Sequence, residues 1–168
     1  GMNVGWPDSI RQFHCGKPVK NVRLFTDDIA VQGEVLITEY GLEGNAVYRL
    51  VPALRERLNN QGQASLHFDF KPLNPAEQLL QKVRGKNFPT RSYAEIFHLT
   101  PVQLALIKAY SNRETYTDPE RFAALLKNLE IPVHSLRPPE EAISVVGGVA
   151  LEELNPDFSL KKYPWIYV

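Results

Sequence analysis

The sequence predicts an α+β fold in which the chain leaves a set of strands, forms a block of helices and then returns to strands. Apolar residues nearly alternate with polar ones over residues 19–40 and 64–70, a pattern typical of half-buried strands. Between residues 74 and 130 they recur at helical spacing, and from residue 131 the chain reads as extended again. Because strands and helices occur in separate runs, an α+β fold is favoured over a doubly wound parallel sheet.

A short helix is predicted within the first 16 residues. Pro7 suits its first turn and Gly16 can end it. Ile10 and Phe13 are expected to share one of its faces.

Two or three antiparallel strands are predicted over residues 19–40. Asp27-Asp28 indicates a turn, and Gly33 indicates a further turn or bulge. Residues 41–45 are expected to form a loop in which Asn45 caps the next helix. That helix is indicated by apolar residues at helical spacing, namely Val47, Leu50, Val51, Leu54 and Leu58.

Four helices are predicted in the block from residue 74 to 130. Three are expected to begin at a capping residue followed by proline, and these pairs are Asn74-Pro75, Thr100-Pro101 and Asp118-Pro119. The fourth is expected over residues 92–98. The chain ends on an aromatic and β-branched run, residues 163–168, that is typical of a buried strand.

Composition favours a globular protein with one ordinary domain or two small ones. The chain has 168 residues, and 19 Lys and Arg balance 19 Asp and Glu, so no net field attracts nucleic acid. Neither a secretory segment nor an apolar run long enough to span a bilayer occurs in the sequence. One cysteine, Cys15, permits no internal disulfide. We therefore expect a cytoplasmic protein without nucleic-acid or membrane partners.

The sequence indicates neither a catalytic residue nor a metal-binding residue. His14, His67, His98 and His134 lack metal-ligand spacing, and a glycine-rich phosphate loop is missing. Gly147-Gly148, followed by Val149, stands apart because it interrupts an apolar run. Such glycines mark a hairpin or bulge, or a place where a ligand meets the backbone.

Three segments together resemble the YhiN/BaiN-type FAD-dependent flavoprotein oxidoreductases. The first runs from Ala142 through Gly147-Gly148-Val149 and Asn155-Pro156 to the final strand-like run. The second, Gln32-Gly-Glu-Val-Leu-Ile-Thr-Glu-Tyr-Gly-Leu-Glu-Gly44, is similar to that family's Gly-Glu, three apolar residues, Thr-His-x-Gly, apolar, Ser-Gly. The third is Gly16-Lys-Pro-Val-Lys-Asn-Val22, which resembles the approach to the first strand of the family's insert.

The resemblance implies that the chain is the inserted cap or substrate domain of such an enzyme. The implied strand-rich, barrel-like part covers residues 1–73 and 131–168, and residues 74–130 form the helical subdomain. Its partners would be the FAD-binding domain of the same protein and a small-molecule substrate. The backbone of Gly147, Gly148 and Val149 would approach the flavin.

Two features of the sequence limit what the resemblance implies. The family's glycine-rich βαβ unit is missing, so we expect no FAD binding and no catalysis by this chain alone. Glu39 and Glu43 replace the family's His and Ser, and neither is given a role. The alternative is a stand-alone interaction module that associates with itself through its terminal strands.

Overall fold

The computed structural model of the chain describes residues 1–27, 29–142 and 148–168. These residues divide into two compact units, Gly1–Arg137 and Pro138–Val168. All the strands and α-helices described below belong to the first unit. The described part of the second unit consists of two 3-10 helices, Pro139–Glu141 and Leu151–Glu153, together with turns and isolated bridges.

The described part of the first unit forms a seven-stranded antiparallel sheet. Its strands are β1 (Met2–Asn3), β2 (Pro18–Phe25), β3 (Ala30–Ile37), β4 (Gly41–Glu43), β5 (Ala64–Asp69), β6 (Leu129–Val133) and β7 (Ser135–Leu136). The strand order is β6-β5-β2-β3-β4-β1-β7. The α+β prediction is confirmed, although the strand pairing does not close the sheet into a barrel.

The two end strands of the sheet are consecutive in the chain. His134 alone separates β6, which pairs with β5, from β7, which pairs with β1. The backbone N–H of His134 donates to the carbonyl of Asn3 at 2.9 Å. One extended segment therefore connects the opposite ends of the strand order.

Seven α-helices occur in the described residues. They are α1 (Asp8–His14), α2 (Asn45–Gln61), α3 (Ala76–Gln81), α4 (Tyr93–Ile96), α5 (Pro101–Ala109), α6 (Arg113–Thr117) and α7 (Pro119–Leu125). None of them combines the length and apolar character that a membrane span requires.

The hairpin of β2 and β3 confirms the turn expected near Asp27, and Asp28 lies outside the described residues. Of the turn or bulge expected at Gly33, the turn is wrong, because Gly33 lies inside β3 and pairs with Val22, next to a break in the strand register. The irregularity is on the facing strand, where the register shifts between Val19 and Val22. A Cβ on Gly33 would lie 3.1 Å from the Cβ of Ala46, so glycine lets α2 pack closely on the sheet.

The segment 41–45 differs from its predicted loop. Gly41–Glu43 forms β4, and the N-cap of α2 is Gly44 rather than Asn45, which is already helical. Gly44 has φ of +115°, a left-handed conformation that favours glycine. Because the backbone conformation at this turn favours glycine, the N-cap is Gly44, one residue before the predicted Asn45.

Side-chain caps begin three helices of the helical block, α5, α6 and α7, whereas the cap predicted at Asn74 was wrong, because the N-cap of α3 is Pro75 and no side chain caps it. Thr100 and Gln103 form a capping box at α5, and Asp118 accepts from the backbone of Arg121 at 2.8 Å. Asn112 accepts from the N–H of Thr115 at 2.8 Å and begins α6. The sequence did not predict α6 because five residues are too few to show an apolar period.

Ile10 and Phe13, which were predicted to share a face of α1, differ in burial. Ile10 is fully buried, whereas 61% of Phe13 is exposed. Because α1 has only seven residues, only a narrow face of it is buried. Two residues that are three positions apart can therefore differ in burial.

A continuous apolar core joins the sheet to the helices in Gly1–Arg137. On the helical side it centres on aromatic rings, with Tyr93 and Phe122 4.2 Å apart and Phe97 5.7 Å from Phe122. On the sheet side, Leu24, Leu66 and other alternating strand residues are fully buried. Alternate apolar positions of the strands thus supply the surface on which the helices pack.

The second unit, Pro138–Val168, is held by local contacts. Isolated bridges pair Leu154 with Leu160 and Ser159 with Tyr167. The predicted buried strand over residues 163–168 was wrong. Trp165 is 74% exposed and Tyr167 is 66% exposed, and the run forms a single bridge instead of a regular strand.

Candidate functional site

The glycine pair proposed to meet a cofactor is partly described. Gly147 lies outside the described residues. Gly148 is exposed, has φ of +150°, and a Cβ placed on it would meet none of the described atoms within 4 Å. Val149 is 39% exposed. The backbone at Gly148 and Val149 is therefore accessible, and the conformation of Gly148 itself favours glycine.

The motif of residues 32–44 forms β3, a tight turn and β4. The Thr38 hydroxyl accepts from the N–H of Gly41 at 3.1 Å, and the Thr38 backbone N–H donates to the Gly41 carbonyl at 2.8 Å. The indole N–H of Trp6 donates to the Thr38 carbonyl at 2.9 Å. Thr38 thus orders both the turn and the N-terminal segment beside it.

Two glycines of this motif are required by close packing. A Cβ on Gly41 would lie 2.0 Å from the carbonyl oxygen of Met2, where β4 pairs with β1. A Cβ on Gly44 would lie 3.0 Å from the carbonyl of Glu34. The spacing of these glycines therefore serves the fold of the sheet.

Tyr40, Glu43 and Arg137 form a polar cluster next to the motif. The Tyr40 hydroxyl donates to the Glu43 carboxylate, and the Arg137 guanidinium lies 4.2 Å from the centroid of the Tyr40 ring. Burial, followed by the hydrogen bond to Glu43, raises the pKa of Tyr40 to about 12. Tyr40 is thus a hydrogen-bond donor at neutral pH and no base, while Glu39 is exposed.

The cysteine and the histidines, which are the residue types most often used for catalysis or metal binding, do not form a common site in the described residues. Cys15 is exposed at the end of α1. The pKa of His14 is lowered by burial and then by the charge of Lys17. Within the described ranges, three or more His, Cys, Asp or Glu residues nowhere gather so that they could hold a metal ion.

A groove of about 690 Å³ lies between the C-terminal end of α2 and strands β5 and β6. Its lining includes Asp27, Arg57, His67, Glu130 and His134. The sequence did not predict this site, because its residues are separated by up to 107 positions and share no motif. The one available signal was the apolar and polar alternation within each strand, which places His67 and Glu130 at outward positions.

Comparison with known proteins gives one match. A family model described as the HI0933-like protein barrel and H2TH domain matches residues 1–144. None of the curated proteins matches the chain.

Proposed function

The chain belongs to the HI0933-like family of flavoproteins, and from this premise we propose that it is the inserted cap or substrate domain of an FAD-dependent oxidoreductase. The family is associated with FAD-binding flavoproteins, which agrees with the resemblance found in the sequence. The finer assignment, to the YhiN/BaiN type and to oxidoreductase chemistry, belongs to this proposal.

The exposed apolar surface of Pro138–Val168 carries the proposal. Among the described residues, large apolar side chains that are exposed concentrate here, and they are Val149, Leu151, Phe158, Tyr163, Trp165, Ile166, Tyr167 and Val168. Such a concentration of exposed apolar side chains is typical of an interaction site. We assign its partner as the FAD-binding domain of the same protein.

In this arrangement the flavin supplies the redox chemistry, and this chain shapes the space above it. Gly147, Gly148 and Val149 would approach the flavin through their backbone. Gly148 suits that role because its accessible backbone carries no side chain that would obstruct a ring. A small molecule is the proposed substrate, and residues of this chain would exclude water from it.

Flavin binding by the purified chain provides the first test. The chain alone should show no stoichiometric flavin absorbance after incubation with FAD and gel filtration. A stoichiometric flavin band would overturn the view that a separate domain must hold the cofactor.

Trp165 reports directly on the proposed contact. The chain has two tryptophans, of which Trp6 is 4% exposed and Trp165 is 74% exposed. Adding an FAD-loaded dinucleotide-binding domain of a family member should shift the emission to the blue and protect it from acrylamide quenching. The Trp165→Phe variant should lose this response, because Trp6 is already shielded. An unchanged emission of the wild-type chain would overturn the proposed contact.

Self-association is the competing interpretation of the same apolar surface. It predicts a dimer in light scattering that is lost when residues 163–168 are deleted. The pairing of Tyr167 with Ser159 inside the chain makes that segment a poor free strand for such a dimer. A monomer supports the cap-domain proposal.

A further inference from the structure

We propose that the groove between α2, β5 and β6 binds a small molecule that carries a protonated amine. Its volume of about 690 Å³ falls within the roughly 300–1,000 Å³ typical of ligand clefts. The proposal concerns residues outside the Gly148 region and does not depend on the flavin assignment.

His67 is held in place by two contacts. Its Nδ1 lies 2.7 Å from the amide oxygen of Asn128, and its ring stacks on Phe25 with centroids 5.2 Å apart. An amide oxygen can only accept, so Nδ1 is the donor, and in the neutral ring Nε2 retains its lone pair. His67 therefore offers the groove an oriented hydrogen-bond acceptor.

Glu130 supplies the negative charge beside this imidazole. It is the direct cross-strand neighbour of His67 in the pairing of β5 and β6, and it is exposed. Its carboxylate makes no hydrogen bond or ion pair with any described residue. A ligand cation could pair with Glu130 without displacing an existing partner.

Arg57, the arginine that lines the groove, already forms an ion pair. Arg57 contacts Asp27 at 2.8 Å, and the Arg57 side chain is only 19% exposed. Among the described charged side chains that line the groove, Asp27 and Arg57 pair with each other, whereas Glu130 has no described partner, so the charge left for a ligand is negative. This balance favours a donor-rich, positively charged ligand, because an anion would face the unpaired carboxylate of Glu130.

His134 defines the far part of the groove. A Cβ on Gly5 would lie 2.6 Å from Cε1 of His134, so the imidazole lies directly against the Gly5 backbone. Its backbone N–H is also fixed by Asn3. A second imidazole therefore lines the groove, with its ring against the Gly5 backbone.

Calorimetric titration with 1,4-diaminobutane tests the proposal, with 1,4-butanediol as the uncharged probe of equal length. The diamine should bind saturably and the diol should not. Glu130→Gln should weaken diamine binding by about tenfold, as expected for a charge-assisted hydrogen bond. His67→Phe, which retains an aromatic ring but lacks Nε2, should also weaken it.

Glu34→Gln provides the matched control. Glu34 is an exposed acid on β3 that pairs with Lys20 at 3.7 Å, outside the groove. This variant should bind the diamine like the wild-type chain. The proposal is overturned if the diamine fails to bind, if the diol binds equally well, or if Glu34→Gln weakens binding as much as Glu130→Gln. Circular dichroism of each variant confirms that it is folded.

Discussion

Residues 1–137 and residues 138–168 use apolar side chains in opposite ways. Every described apolar side chain that is buried lies between Met2 and Val133. Of the eleven large apolar side chains that are exposed in the described residues, eight lie between Val149 and Val168. Similar residue types thus form a core in one unit and accessible surface in the other.

The difference follows from how much surface each unit can remove from water. A chain of more than a hundred residues buries an apolar core, whereas segments below about 40 residues rarely do so without further support. Pro138–Val168 is held mainly by local hydrogen bonds, such as those from the N–H and hydroxyl of Ser159 to Asp157 at 3.1 and 2.7 Å. Its aromatic side chains therefore remain available for a partner.

Two phenylalanines test this contrast most strongly. Phe122 is fully buried among aromatic rings, so Phe122→Ala should lower the free energy of unfolding by about 3–5 kcal/mol. Phe158 is 63% exposed, so Phe158→Ala should change it by no more than about 0.5 kcal/mol. Urea denaturation measures both values. Equal losses would mean that the two units do not differ as described.

A smaller difference in stability is expected between the substitutions of two lysines, Lys127 and Lys162. The Lys127 ammonium lies 2.7 Å from the Asp69 carboxylate, whose side chain is 6% exposed, and it also donates to the carbonyls of Lys71 and Asn74. Lys127→Met should cost about 3 kcal/mol, because it leaves a buried charge unpaired.

Lys162→Met is the control for Lys127. The Lys162 ammonium is exposed and lies 5.5 Å from the Tyr163 ring, so its loss should cost less than about 1 kcal/mol. The free energy of unfolding of both variants comes from the same denaturation experiment. If the Lys127→Met protein is as stable as the Lys162→Met protein, the ion pair between Lys127 and Asp69 does not stabilise the fold.

The smallest expected effect concerns the stability of the protein at alkaline pH, for which a partly buried and an exposed tyrosine are compared. Burial raises the pKa of Tyr110 to about 12 from 10.0. As pH rises past 10 the unfolded chain loses this proton first, so the stabilisation is complete below that pH and disappears as pH approaches about 12. The Tyr110 hydroxyl also donates to the Gly5 carbonyl at 3.2 Å.

Tyr110→Phe should therefore lower stability at neutral pH by about 1 kcal/mol and make the loss of stability above pH 10 shallower. Tyr167→Phe, at a 66% exposed position, should leave the pH dependence unchanged. Denaturation series at neutral and alkaline pH measure both effects. A wild-type pH dependence in Tyr110→Phe would contradict the assignment to this phenol.

Much of the fold could be predicted because its signals are local. The alternation in β5, the apolar period of α2 and the capping residues Thr100 and Asp118 each fix an element within a few residues. The family motif was recognisable for the same reason. Its glycines are determined by backbone packing at Gly41 and Gly44, which requires them at fixed spacing.

The candidate sites could be predicted only in part. Gly148 was identified from its apolar neighbours, and its proposed role at the flavin stays a prediction. The groove at His67 and Glu130 was missed, because cross-strand neighbours can be far apart in the sequence. The predicted strand at residues 163–168 failed because β propensity describes a half-buried surface, and no such surface covers this run.

By itself the sequence determined the α+β class, the succession of a strand region, a helical block and a further strand, and the family to which the chain belongs. Local propensity, capping and motif spacing are sufficient for these, since each depends on residues close together in the chain. Only the tertiary structure decided which apolar residues form the core, which remain exposed, and which polar residues meet at the groove. Those outcomes depend on strand register and packing, which bring together residues such as His67 and Glu130 from distant parts of the chain.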